Sequence, residues 1–230
     1  TLLPETRLPS ARRQATISGV LSGYVTLLSD RNFLRLAAVV AFGIASFFVY
    51  LANSSFVLID HFGLSPRLYS FAFSLNAAAF IGASQLTGRL GTRFGLTRVI
   101  RVGVIGHGAA MTCLLASVAA GVDRFDVLLV LLCLGYGFLG LVVPATTALA
   151  LEEHGPIAGT ASALMATMQS VAGLSVIAIV GVFLDGTTRP MITGIAVCAM
   201  ATLVLALGTR APARTISAAL EVAPRRVLGP

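Results

Sequence analysis

Six stretches of the chain run for twenty residues or more without an Asp, Glu or Arg: 36–59, 68–88, 102–122, 127–151, 155–184 and 190–209. Apolar residues cover every helical face of these runs rather than alternating along them, which argues against strands. At about 1.5 Å per residue, each run is long enough as a helix to cross roughly 30 Å of hydrocarbon. The pattern predicts an all-α membrane protein with six transmembrane helices, the fifth expected over 157–184. Between and around them lie short polar connections, a first segment of 35 residues and a tail over 210–230.

Composition agrees: 57% of the 230 residues are hydrophobic and 11% charged. The net charge of +7 comes from sixteen arginines and no lysine against nine acids. A nucleic-acid partner would need those arginines on one polar face. Instead they divide by loop. Arg7, Arg12, Arg13, Arg31, Arg35, Arg89, Arg93, Arg98, Arg101, Arg210, Arg214, Arg225 and Arg226 fall on one side of the predicted membrane, and Arg67, Arg124 and Arg189 on the other. Basic short loops stay cytoplasmic, so both ends of this segment are expected there; arginine without lysine, beside abundant alanine, points to a GC-rich bacterial genome and so to a bacterial inner membrane. Residues 1–35 read as a basic linker. Within it, 16–28 has the apolar spacing of a helix lying on the membrane surface, with a disordered tether as the alternative. The chain opens on Thr1 without the apolar core of a signal peptide, and a longer parent polypeptide is expected.

Residues 88–98, GRLGTRFGLTR, carry three glycines and three arginines with no acid. Between two apolar runs on the arginine-rich side, they predict a cytoplasmic turn whose arginines reach helix C-terminal carbonyls or lipid phosphates. GYGFLG at 135–140 imitates a dinucleotide-binding turn, but a run uncharged for 25 residues lacks the polar helix face that a soluble βαβ unit needs. The glycines there, like Ser74, Ala78 and Gly82, read as surfaces for close helix approach. Pro144 and Gly173 mark places where a helix could bend. Cys113, Cys133 and Cys198 read as small buried hydrophobes, and no metal site, cofactor or catalytic motif of the HExxH or GxSxG kind is found.

No carboxylate lies inside a predicted span, so proton or ion coupling is expected elsewhere. His107, about five residues into the third span, either titrates or simply donates to a neighbouring carbonyl. The remaining polar groups fall in helical rows: Ser46, Tyr50 and Asn53; Phe73, Asn76 and Phe80; Tyr136, Gly140 and Thr147; Ser162, Met165 and Gln169. Apolar walls with a few amides, hydroxyls and soft side chains suit greasy ligands, whereas Asn53, Asn76 and Gln169 could equally bond helix to helix.

With those residues in view, the chain resembles the C-terminal half of a major facilitator superfamily transporter, and within it the Bcr/CflA group of drug:proton antiporters. LPETRLPSARR at 3–13, Tyr24, Asp30, Arg31 and Phe33, FFVYLANSSFVLIDHFGLSP at 47–66, Asn76, and ALALEEHGPIAGTASALMATMQ at 148–169 carry the resemblance. It implies helices seven to twelve of twelve, two six-helix bundles around a cavity, and alternating access. It further implies proton-driven efflux of drugs or other small amphipathic compounds, with protons handled by an N-terminal six-helix half and the lipid bilayer as surroundings. Gly88, Leu90, Arg93 and Gly95 match the family's cytoplasmic loop motif, in which Thr92 stands where an acid is usual. Tyr50, Asn53, Asn76, Tyr136 and Gln169 become the expected substrate contacts. The rival reading is a non-transporting six-helix protein, a scaffold or membrane enzyme, acting alone or as a homodimer.

Overall fold

The computed structural model describes residues 17–208, and among them every regular element is a helix. The leading segment 1–16 and the tail 209–230, with seven of the arginines, lie outside the described residues. The first element, α1 (Ile17–Ser29), is a helix that packs on α6 and the start of α2. It buries Leu27 completely and leaves Leu21, Val25 and Leu28 facing outward. Asp30 then separates it from α2 (Arg31–Ser55), whose N-cap it is: its Oδ1 accepts the Asn32 and Phe33 backbone N–H groups at 2.8 and 3.2 Å. Such a cap satisfies donors that a helix start otherwise leaves orphaned. The first predicted span therefore begins five residues early, at Arg31, and runs on as a six-residue π-helix, Phe56–His61.

The second and third spans depart furthest from expectation. α3 (Pro66–Phe94) starts at a Ser65 cap and Pro66, and then continues through Gly88, Arg89, Leu90, Gly91, Thr92 and Arg93. Only Gly95, at φ +82°, breaks the path before α4 (Leu96–Ala119) begins. The predicted glycine-rich turn is thus a helix extension with a one-residue joint. Positive φ is needed only at Gly95, and Arg, Leu and Thr continue a helix wherever its backbone bonds can still close.

The rest follows the apolar pattern closely: α5 (Phe125–Glu152), a single 3₁₀ turn (Gly155–Ile157), α6 (Ala158–Val182) and α7 (Arg189–Leu207). Pro144 lies inside α5 without ending it. Five helical stretches are long and apolar enough to cross a membrane: Arg31–His61, Leu96–Ala119, Phe125–Glu152, Gly155–Val182 and Arg189–Leu207. α3 is 29 residues long but carries Arg67, Asn76, Gln85, Arg89 and Arg93 along its length, so composition alone does not mark it. It nonetheless leads from the far end of α2 to the near end of α4, and so runs the length of the bundle as they do.

α5 packs along α3 and α4, α2 along α6 and α7, and α4 along α7. The larger core unites α2, α3, α4, α5 and α7; a smaller one gathers Leu27, Phe33, Leu36, Val40 and Met165 between α1, α2 and α6. Lipid gives helices no hydrophobic reason to associate, so close packing must come from shape. The GYGFLG glycines supply it. Gly140 sits against the backbone of Phe80 on α3, with no room for a Cβ, and Gly135 against Met111 and Ala110 on α4. The other small-residue row, Ser74, Ala78 and Gly82, is exposed, and a Cβ at Gly82 would meet no atom of the described residues. Of the cysteines expected to be buried, only Cys198 is; Cys133 is half-buried and Cys113 exposed, because α4 turns that face outward.

Polar contacts tie the two ends. At one, His154 Nε2 meets Asp30 Oδ2 at 3.2 Å, Asn32 donates to Glu153 Oε2 at 3.2 Å, and Arg35 donates to the Gly208 carbonyl past the end of α7 at 3.1 Å. Asp30, Glu153 and His154 place donor atoms within 4.8 Å of one another, but these internal bonds already engage all three. At the other end Asp123 is shared by His61 and Thr188.

The packing and the caps set the stability of variants at four positions, measurable by thermal unfolding in detergent. Gly140→Ala should lose about 1–3 kcal/mol by forcing α3 from α5, and Gly95→Ala about 1 kcal/mol or more through its backbone angle. Gly88→Ala, in an open helical position, should instead be neutral or gain up to about 1 kcal/mol; a loss at Gly88 would restore the turn. Asp30→Ala should cost about 1–2 kcal/mol and Asp30→Asn, which keeps the cap, distinctly less; equal losses would mean that the cap contributes nothing.

Candidate functional site

Three of the five residues singled out as contacts meet at one depth. Tyr50 lies eleven residues before His61, Asn76 ten after Pro66 and Tyr136 eleven after Phe125, so each is about 15–17 Å from the same end of the bundle. The Gly140–Phe80 contact explains the register. Tyr136 and Asn76 each precede it by one helical turn on parallel helices, and α2 closes the third side. Asn76 Nδ2 donates to the Tyr50 hydroxyl at 3.3 Å and to the Ala72 carbonyl at 3.1 Å, while the Tyr136 hydroxyl donates to the Ser46 carbonyl at 3.1 Å. The two tyrosine rings lie 5.4 Å apart, centroid to centroid.

Phenylalanines complete the cluster. Phe47 stacks on Phe80 at 5.7 Å and meets Tyr136 edge-on at 5.4 Å, and Phe73 stacks on Tyr50 at 5.9 Å. Tyr50, Asn76 and Tyr136 are at most 1% exposed, whereas Phe47, Phe73 and Phe80 are half-buried and form the outer layer. Phe47 is the residue that sequence reasoning passed over. Its position three before Tyr50, on the same helical face, was the available signal.

The buried amide is only half satisfied. Asn76 Oδ1 has no hydrogen-bond partner among the described residues, although Nδ2 has two. An unpaired acceptor in an apolar interior costs free energy until a donor reaches it. An aromatic box around such an acceptor can hold a molecule with an apolar body and a donor or cationic group.

His107 joins the cluster from α4. It lies eleven residues into that helix, about 17 Å, because α4 starts earlier than the apolar run suggested. Nδ1 donates to the Gly135 carbonyl at 2.9 Å, the ring packs 6.2 Å from Tyr136, and Nε2 has no partner among the described residues. The helix-to-helix hydrogen bond is therefore present.

The other two candidates stand apart from this cluster. Asn53 is buried and donates to the Val49 carbonyl of its own helix at 2.8 Å. Gln169 is half-exposed on α6, which packs chiefly along α2 and hardly touches α5; of its row, Ser162 is exposed and Met165 belongs to the smaller core. In the loop motif, Gly88, Leu90 and Arg93 lie in α3, Arg93 with its guanidinium 5.2 Å from the Phe94 ring, and only Gly95 turns. Thr92, in the position usual for an acid, donates its hydroxyl to the Arg89 carbonyl at 2.9 Å.

Comparison with known proteins agrees with this architecture. The sequence profile described as Major Facilitator Superfamily matches residues 2–177. The MFS-type transporter YdgK of Bacillus subtilis (strain 168) is 31% identical over 191 residues, covering 83% of this chain and 46% of YdgK, so the chain spans about half the length of that relative. Several apolar helices long enough to span a bilayer, a bundle without strands among the described residues and a profile match over most of the chain converge: this is a multi-pass membrane protein that belongs to the Major Facilitator Superfamily, a family of transporters.

Proposed function

We propose that the chain forms the C-terminal half of a proton-driven exporter of drugs or other small amphipathic compounds, working by alternating access as the Bcr/CflA resemblance implies. The observation that carries this reading is the mid-depth cluster. An unpaired amide oxygen of Asn76 sits among the rings of Tyr50, Phe73 and Tyr136, at the level where such transporters hold substrate between helices. Phe47, Phe73 and Phe80 meet the ligand first, and Tyr50, Asn76 and Tyr136 form the layer behind them. Asn53, one turn beyond Tyr50, and Gln169 on α6 add the remaining polar contacts. The two halves enclose the substrate together, and the exposed row Ser74, Ala78 and Gly82 suits close approach by a helix of the partner half.

No Asp or Glu lies within α2, α3, α4, α6 or α7 apart from the Asp60 at the end of the π-helical extension, and those of α5 are confined to its ends. Proton binding is therefore assigned to the N-terminal half. Orientation follows from the arginines: Arg31, Arg35, Arg89, Arg93, Arg98 and Arg101 gather at one end of the bundle, which is assigned to the cytoplasmic face of a bacterial inner membrane.

Reconstitution of the full-length polypeptide in vesicles tests the coupling. Flux of an amphipathic cationic dye should rise when an inward proton gradient is imposed and collapse with a protonophore; flux indifferent to the gradient would sink antiport. Asn76→Ala should change the order of preference among substrates, and Asn76→Asp should favour cationic ones. An unaltered profile in both variants would reduce Asn76 to a helix-packing residue.

A further inference from the structure

Around the α3–α4 joint lie Arg89, Arg93, Arg98 and Arg101, all exposed. No Asp or Glu occurs anywhere between His61 and Val122, and among the described residues none of the four forms an ion pair. Because 88–94 is helical, these charges are held in pairs on rigid surfaces: Arg89 and Arg93 one turn apart on α3, Arg98 and Arg101 on α4. Four guanidinium groups with no carboxylate partner among the described residues form a positive rim.

Beside the rim is a cavity of about 330 Å³. Its walls are Leu90 and Phe94 of α3, Val99 and Val102 of α4 and Leu141 of α5, with Arg98 at its edge. Phe94 and Val102 are 47% and 60% exposed, so the cavity opens sideways out of the bundle. From Arg98 to Val102 it descends four residues, about 6 Å, toward the level of Leu141 in the middle of α5. A positive edge at the membrane surface above a wholly apolar channel has the polarity of one phospholipid. The phosphate belongs at the arginines and an acyl chain along the valine and leucine walls.

We propose that this groove between α3 and α4 is a binding site for an anionic phospholipid, with Arg98 at the phosphate, Arg93 and Arg101 flanking it, and one acyl chain against Phe94, Val102 and Leu141. Among the described residues a headgroup with its own ammonium would meet four positive charges and no paired carboxylate, which disfavours zwitterionic lipid. Free phosphate would use the rim but leave the apolar cavity unfilled. The groove runs from the arginine-rich end toward the middle of α5 but shares no residue with the aromatic cluster around Asn76, so its test is independent of the transport reading.

Native mass spectrometry of the full-length polypeptide in detergent, offered equimolar phosphatidylglycerol and phosphatidylcholine with identical acyl chains, measures the preference. Phosphatidylglycerol should be retained preferentially. Arg98→Gln should weaken that retention about fivefold, and Arg98→Lys should largely restore it. Arg67→Gln, an exposed arginine at the opposite end of α3, should leave it unchanged. Val102→Phe, which fills the groove without touching a charge, should lower retention as well. Circular dichroism and gel filtration establish that each variant is folded. Equal retention of the two lipids would overturn the proposal, as would equal effects of the Arg98 and Arg67 variants. Displacement of the lipid by glycerophosphoglycerol alone as readily as by whole lipid would also overturn it, leaving a bare anion site.

Discussion

Contact between two backbones, at Gly140 of α5 and Phe80 of α3, sets the geometry of this bundle. Hydrocarbon solvates an apolar helix as well as another helix does, so only surfaces that fit closely are worth bringing together. With no side chain at Gly140, the helices meet directly, and their parallel course carries the register one turn along to Tyr136 and Asn76. Phe47, Tyr50 and Phe73 then fill the space that remains. The polar cluster is thus a product of helix approach as much as of its own hydrogen bonds, and one residue without a Cβ determines whether it assembles.

The ends are held differently from the middle. At mid-depth the contacts are aromatic, and the Asn76 amide and His107 imidazole each have one atom, Oδ1 and Nε2, without a partner among the described residues. At the termini the ties are polar and shared among three elements: Asp30 caps α2 and meets His154, and Asp123 serves both His61 and Thr188. Water reaches these ends, so such pairs there contribute modestly to stability but fix which loop lies over which helix. Thr87 Oγ1 and Thr146 Oγ1, nearer the arginine-rich end, are the other buried side-chain atoms without a partner among the described residues, so unsatisfied polar capacity is divided between that end and mid-depth.

Much of this was legible from the order of residues. Charge-free runs located the helices, and glycine spacing correctly indicated close packing instead of a nucleotide turn. The row periodicity brought Tyr50, Asn76 and Tyr136 forward. What the order of residues concealed follows from rules that sequence expresses weakly. Gly88 and Gly91 look like breakers, yet nothing forces a helix to stop at them when Leu90, Thr92 and Arg93 can carry it on; only Gly95 adopts an angle that demands glycine. The bond from Asn32 to Glu153 spans 121 positions that no local pattern relates. Asn53 and Gln169 share the chemistry of Asn76 but not its neighbours, and which amide faces another helix is decided by tertiary packing.

The one-residue joint at Gly95 has a further consequence, for how the chain enters the membrane. A loop of ordinary length would let one helix insert while the next waited in water. Here α3, the most polar of the long helices, is bound end to end with α4, and neither can settle without the other. Insertion is then a property of the hairpin: the apolar α4 supplies the transfer free energy that Arg67, Asn76 and Gln85 subtract from α3.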